Sequence, residues 1–162
     1  SFGLTVDGSY GGKIYSHTHH KATEAGQLKH TLKGREEGEL IGEGVVLNAD
    51  GSYTPNTTPI RVDNYYRKYY EYQNVESNTF DASFLKIREL SLSYSFTKKQ
   101  LKRIGLESLT LTVYGRDLKT FTDFPIYDPE AATMNGSVIV PGMETGQMPS
   151  TASYGFNLKV EF

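Results

Sequence analysis

The last ten residues constrain the fold of this chain more than any other stretch. Tyr154, Phe156, Leu158, Val160 and Phe162 take every second position, with Ser153, Gly155, Asn157, Lys159 and Glu161 between them. In an extended strand a period of two puts the first set on one face and the second on the other. Three further segments alternate in the same way. Phe2, Leu4, Val6 and Tyr10 share a face with Gly8, against Gly3, Thr5, Asp7 and Ser9. Leu90, Leu92, Tyr94 and Phe96 oppose Glu89, Ser91, Ser93 and Ser95, and Leu109, Leu111 and Val113 oppose Thr110, Thr112 and Tyr114. The expected fold class is all-β and antiparallel.

The connections sharpen this reading. Strands are expected at about 1–17, 83–96, 107–117 and 152–162, with one short turn over 97–106 and long loops over 18–82 and 118–151. Within the short turn, Thr97 suits a helix N-cap and Gly105 a left-handed stop. The first long loop has room for a short helix between His17 and Leu32. It also has a hairpin over Val45–Thr54 that turns at Asp50-Gly51. Short and long connections alternate in transmembrane barrels, which turn tightly on the periplasmic side and carry long loops outside. That pattern places the C-terminus at the periplasmic rim.

Mean hydropathy is polar at −0.48, and Val45–Leu47 and Val138–Val140 are the longest aliphatic runs. Neither approaches the ~20 residues of a membrane helix. A barrel strand escapes that test, because only alternate residues face lipid. The chain is rich in Tyr (12) and Gly (16), and aromatics sit at strand ends, at Tyr94, Phe96, Tyr154 and Phe162, as interfacial girdles require. The polar faces carry Asp, Ser, Thr, Asn, Lys and Glu, which suit a hydrated lumen. Phe162 closes the last strand on its apolar face. Tyr154, Phe156, Leu158, Val160 and Phe162 together resemble the signal by which the barrel-assembly machinery recognises outer-membrane clients. Ser1 opens inside a strand pattern with no leader, which reads as one segment of a longer protein. A net charge of −2 with interspersed signs gives no footprint for nucleic acid. The absence of cysteine excludes disulfides and thiolate sites.

Several motifs carry a family resemblance. The stretch Asn74–Tyr94, with Phe84-Leu85-Lys86-Ile87-Arg88-Glu89-Leu90 at its centre, resembles the late strand entry of SusC/RagA-type TonB-dependent transporters. Gly115-Arg116-Asp117-Leu118 resembles their Gly-Arg-Asn-Leu motif, with Asp in place of Asn. Tyr127-Asp128-Pro129-Glu130 resembles a loop motif of the family, and Tyr154–Leu158 its closing strand. Tyr10–Tyr15 and the Asn48–Thr54 hairpin are similar to it as well. The resemblance implies the C-terminal part of a barrel of about 22 strands, with the plug domain outside this chain. It implies active import of an oligosaccharide or peptide nutrient across the bacterial outer membrane. Partners would be the remaining barrel and plug, a SusD-like surface lipoprotein, outer-membrane lipid and, through other regions, the TonB complex. No cofactor is implied.

Candidate sites lie in the loops. Tyr65, Tyr66, Tyr69, Tyr70 and Tyr72 either contact ligand or lid lipoprotein or anchor the long loop, with Arg67 and Lys68 facing water. His17, His19, His20 and His30 lack an acidic partner at metal-site spacing and read as solvated polar residues. Asp123, Asp128 and Glu130 do not follow an EF-hand pattern. Arg116 and Asp117 are expected where a strand leaves the wall, as a loop-anchoring motif. Glu36-Glu37 reads as a solvated turn, and the sequons at Asn56 and Asn135 carry no meaning in a bacterial protein. No catalytic constellation is present, so an enzyme is not expected. The competing reading is a soluble β-sandwich carbohydrate-binding module with a tyrosine platform.

Overall fold

A computed structural model describes every residue except Arg103, Ala131, Ala132 and Gly136, and excludes the side chain of Asn135; the second sequon therefore lies outside the described residues. The first half of the chain runs β1 (Phe2–Ser9), β2 (Lys13–Ser16), α1 (His17–Glu24), β3 (Glu39–Ile41), β4 (Val45–Leu47), β5 (Tyr53–Pro55), β6 (Pro59–Arg61) and α2 (Val62–Tyr69). The second runs β7 (Thr79–Asp81), β8 (Phe84–Ser95), α3 (Lys98–Leu101), β9 (Ser108–Thr122), β10 (Thr133–Asn135), β11 (Val138–Val140), β12 (Met143–Glu144) and β13 (Ser153–Glu161). Single 3-10 turns at Lys29–Leu32 and Val75–Asn78 complete it. The fold is all-β in character, and no described helix is long and apolar enough to cross a membrane.

Contacts divide the chain into two compact units. The first comprises Ser1–Gly12, Asp81–Ala131 and Met148–Phe162. It is built on one antiparallel sheet in the order β1-β8-β9-β13. Its register aligns the four alternating patterns: Phe2 opposes Leu92, Leu92 opposes Val113, and Val113 opposes Phe156. Leu111 likewise lies between Tyr94 and Leu158. A slip of one residue in any strand would turn its apolar set to the wrong face, so this match fixes the register. The β8–β9 connection forms as the sequence suggests. The Thr97 N–H donates to Gln100 Oε1 at 2.8 Å, Leu101 is 1% exposed, and Gly105 has φ +71°.

Two strand bounds differ from the sequence reading. β1 ends at Ser9 instead of running to about 17, because Gly11 and Gly12 both adopt positive φ (86° and 84°) and end the strand. Lys13–Ser16 then forms β2, which belongs to another sheet. β9 continues five residues past Asp117. A bulge there absorbs an extra residue, and the ladder resumes with Lys119 opposite Ile87 and Thr122 opposite Phe84.

The second unit comprises Lys13–Phe80 and Ala132–Gln147, so segments of both long connections fold together. β12 runs parallel to β2, with Glu144 opposite Ser16, and the Tyr15 N–H donates to Gly142 O at 2.9 Å. The expected hairpin forms from β4 and β5, with Leu47 opposite Tyr53. The expected helix is shorter than His17–Leu32: α1 stops at Glu24 and a separate 3-10 turn follows. The core of this unit is largely polar. Ile14 and Tyr66 are buried beside Ser16, His19, His20, Thr23, Thr31, Asn78 and Glu144.

Candidate functional site

The sheet of the first unit has two faces of opposite chemistry. On one lie Phe2, Leu4, Leu90, Leu92, Leu111, Val113, Phe156 and Leu158, every one of them exposed, Phe156 to 75% and Leu92 to 58%. Soluble chains rarely expose a contiguous apolar surface of this extent. Tyr94 and Phe96 meet edge to face at its α3 end, with ring centroids 4.8 Å apart. Tyr154 packs over Gly115, where a Cβ would lie 3.2 Å from the tyrosine ring. The other face is hydroxylic and charged: Ser93 Oγ and Thr112 Oγ1 lie 2.8 Å apart, as do Ser95 Oγ and Thr110 Oγ1 at 2.9 Å. β8, β9 and β13 have 12, 15 and 9 residues. A tilted transmembrane β-strand needs about 9–11.

On the polar face, three separate sequence motifs converge on one ionic network. Lys86 of β8 is 3% exposed, and its Nζ donates to both carboxylate oxygens of Asp128 at 2.7 Å and also to Glu130. Arg88 donates to Asp7 at 2.8 Å and Glu130 at 2.7 Å, and its Nη1 lies 3.6 Å from Asp117. Arg116 donates to Glu89 at 2.9 Å. This convergence depends on irregular backbone. Arg88 is an extra residue against β1, and Asp117, at φ +50°, sits in a bulge against β8. The two bulges turn consecutive charged residues towards one side of a sheet that would otherwise alternate them. Arg116 and Asp117 thus lie inside β9 rather than where a strand leaves the wall. Burial pushes the Asp128 carboxyl up, but Lys86, the Glu130 N–H and the Ser150 hydroxyl hold it below the usual carboxylate range. The charges of Asp128 and Glu130 are taken up by these cations, which removes them as ligands for an ion.

In the second unit the five tyrosines divide into groups. On α2, Tyr65 and Tyr69 stack one turn apart, with centroids at 5.6 Å and planes 8° apart. With Lys68, Asn56 and Glu43 they line an open groove of about 380 Å³. Tyr66 is buried, and its hydroxyl donates to His30 O at 2.8 Å. Tyr70 stacks on His30, with centroids 5.1 Å apart. Tyr72 is 64% exposed. No single flat platform joins all five.

His19 and His20 correct the expectation of solvated residues, whereas His30 is exposed and His17 half-buried. His19 and His20 are each 5% exposed, and His19 stacks on His30 at 5.3 Å and meets Phe80 edge-on at 4.8 Å. His19 Nδ1 lies 3.0 Å from Asn78 Oδ1, while Asn78 Nδ2 donates to Tyr70 O. The amide is thereby oriented, and the imidazole must carry its proton on Nδ1. Burial lowers the pKa of His19, His20 and His30, in His30 with a further push from His19. Their aromatic packing, which no spacing rule reports, is what the sequence reading missed. Among the described residues no group of three His, Asp or Glu is placed to hold a metal ion.

Sequence comparisons connect this geometry with known proteins. No family model matches the chain. TonB-dependent receptor P3 of Formosa agariphila is 32% identical over 87 residues, 51% of this chain and 9% of that protein. TonB-dependent receptor P39 of the same organism is 26% identical over 163 residues, 99% of this chain and 14% of that protein. The RagAB peptide importer in its open-open state superposes at TM-score 0.55 with 14% identity, covering 99% of this chain and 15% of that one. The chain is similar in sequence to TonB-dependent receptors and shares its fold with part of the RagAB importer. It spans about a seventh or less of the proteins it matches. Those proteins are named as TonB-dependent receptors and a peptide importer, not as enzymes.

One residue that the sequence reading missed is Glu144, 1% exposed. Its carboxylate accepts from Ser16 Oγ at 2.6 Å, Thr18 Oγ1 at 2.5 Å, Gly146 N–H at 2.6 Å and Thr18 N–H at 3.3 Å. Ser16 Oγ in turn accepts from the His19 N–H as the α1 N-cap. A carboxylate at a helix N-terminus also meets the positive end of the helix dipole. Burial raises the Glu144 pKa, but these donors bring it below the ordinary value. A lone Glu between two glycines in a long loop gives no sequence signal of this role.

Proposed function

We propose that the chain forms part of the wall and outer loops of an active, TonB-dependent importer of a nutrient oligosaccharide or peptide in the bacterial outer membrane. The single observation that carries this reading is the sheet with one exposed aliphatic and aromatic face and one ionic, hydroxylic face. That division matches lipid on one side and a wet lumen on the other. It speaks against the β-sandwich alternative, which needs a second sheet over the apolar face. In this reading the long-connection unit is extracellular and the end of β13 periplasmic. Tyr69 and Tyr72, which are exposed, and the half-buried Tyr65 face ligand or a SusD-like lipoprotein lid. Tyr66 and Tyr70 hold the loop. Tyr154, Phe156, Leu158, Val160 and Phe162 act as the barrel-assembly signal, and Arg116 and Asp117 fix the loop through the ionic network. TonB is engaged through regions outside this chain.

The test is single-cysteine labelling of the full receptor in outer membranes. Leu111→Cys and Leu158→Cys should react with a lipid-soluble maleimide and resist a charged one. Thr112→Cys and Asn157→Cys, one residue away, should show the reverse where the lumen is open to water. Equal reaction of neighbouring positions with the charged reagent would reject the wall reading.

A further inference from the structure

The four long strands hold nine charged residues: one in β1, three in β8, three in β9 and two in β13. Eight are held in ion pairs. The ninth is Lys119, and among the described residues no carboxylate lies within ion-pairing distance of it. Its position is also unlike the others. It opposes Ile87, which opposes Val6, and it shares its face with Phe121, which opposes Leu85. Lys119 Nζ lies 6.0 Å from the Phe121 ring centre. The exposed lysine thus sits on the apolar face, three residues from the Thr122 end of β9.

A cleft of about 520 Å³ opens beside it, at the same end of β1, β8 and β9. Leu85 and Phe121 supply its apolar part, and Ser83, Thr122 and Asp123 its polar edge, with Tyr10 at the rim. Gly8 leaves room there, since a Cβ would stand 3.2 Å from Leu85 Cδ1. An unpaired cation beside an apolar cleft on a membrane-facing surface fits one kind of occupant by charge and by shape. A long lysine stem can keep to the apolar wall while the ammonium reaches the interface.

We propose that Lys119 and the cleft between Leu85 and Phe121 bind a phosphate-bearing lipid of the outer leaflet. The ammonium pairs with the phosphate and an acyl chain lies along Phe121, Leu85 and Ile87. Asp123, at the polar edge, favours a headgroup whose sugar hydroxyls can donate to it. The inference rests on the reading of this sheet as barrel wall.

The experiment is native mass spectrometry of the full receptor, extracted from outer membranes in mild detergent, as wild type, K119Q and K159Q. Lys159 is an exposed strand lysine already paired with Glu161 at 2.7 Å, so its variant controls for lost charge alone. Wild type and K159Q should retain phosphorylated lipid, and K119Q should retain about fivefold less, the worth of one lysine near an anionic lipid surface. Equal retention by all three, or equal loss in both variants, would overturn the lipid site while leaving the wall reading intact. Displacement of the lipid by inorganic phosphate would overturn it in favour of a bare anion site. Recovery of the receptor in the soluble fraction would overturn the wall reading and the lipid site together.

Discussion

Lys86→Met is the perturbation with the clearest expected cost. Lys86 Nζ lies 2.7 Å from both oxygens of Asp128 and is shielded from water, with only 3% of the residue exposed. The methionine keeps the stem and deletes the charge. Asp128, itself 9% exposed, then keeps only the Ser150 hydroxyl at 2.8 Å and the Glu130 N–H at 3.0 Å, with the Glu130 carboxylate nearby. Removing one partner of a buried pair costs about 3–5 kcal/mol. The two remaining donors, and Arg88 on Glu130, place the loss at the lower end, at about 3 kcal/mol. The Glu130 amide reports it directly in hydrogen exchange, because it is bonded to Asp128. It should exchange roughly a hundredfold faster in Lys86→Met if opening of this corner governs its protection. Lys86→Met/Asp128→Leu should lose much less than the single variant, since no unpaired charge remains. The sign with pH follows from the depressed Asp128 value. The stabilisation is present above the ordinary carboxylate range and is lost as pH falls through the lower folded value. An unchanged Glu130 amide in Lys86→Met would refute the argument that this ionic corner holds the segment to β8.

The histidine cluster gives the opposite end of the scale. His19 is buried and His30 stacks on it, and both have a lowered pKa, so the opened state binds protons more readily. The second unit should keep full stability above about pH 6.5, the ordinary histidine value. It should lose stability as pH falls below that, and His30→Gln should flatten the dependence in a limited-proteolysis profile. Tyr66→Phe should cost about 1 kcal/mol, because its buried hydroxyl serves two carbonyls, His30 O and Lys33 O. Tyr69→Ala should leave proteolytic stability within about 0.5 kcal/mol of wild type and change ligand or lipoprotein binding instead. Phe156→Asp places a charge on the exposed face of β13 and should sharply reduce heat-modifiable receptor in the outer membrane, with Asn157→Asp as the tolerated control.

The strands were legible because their information is local. Tyr154 to Phe162 alternates without a break, and the sheet sets that alternation against Leu109, Leu111 and Val113 as the pattern demands. The bulges at Arg88 and Asp117 were not legible, although both residues lie in motifs that drew notice. A bulge is a count of two residues against one on a neighbouring strand, and it has no meaning until the partner is known. The same limit hid the second unit. His19, His30 and Tyr70 are separated by loops that a sequence reads as solvated, and their stacking depends on Asn78 and Phe80, which arrive from another part of the chain. Glu144 is the extreme case, more than a hundred residues from the hydroxyls it accepts.

The bulges also explain why Gly115-Arg116-Asp117-Leu118 and Phe84–Leu90 make one structural device. Regular alternation would put Arg88 on the apolar face beside Leu90, where a guanidinium has no counter-charge. The extra residue against β1 turns it instead towards Asp7 and Glu130. β9 must then accommodate the same offset, and it does so at Asp117, in a backbone conformation that Asp and Asn tolerate better than branched residues. Asp117 shares that tolerance with Asn and adds a negative charge 3.6 Å from Arg88. Asp117→Asn should therefore preserve the bulge and weaken only the ion pair, a change of about 0–1 kcal/mol at this exposure. Asp117→Val should strain the backbone as well and cost about 1–3 kcal/mol. If valine were tolerated as well as asparagine, the bulge would not be the reason for a short polar residue at this position.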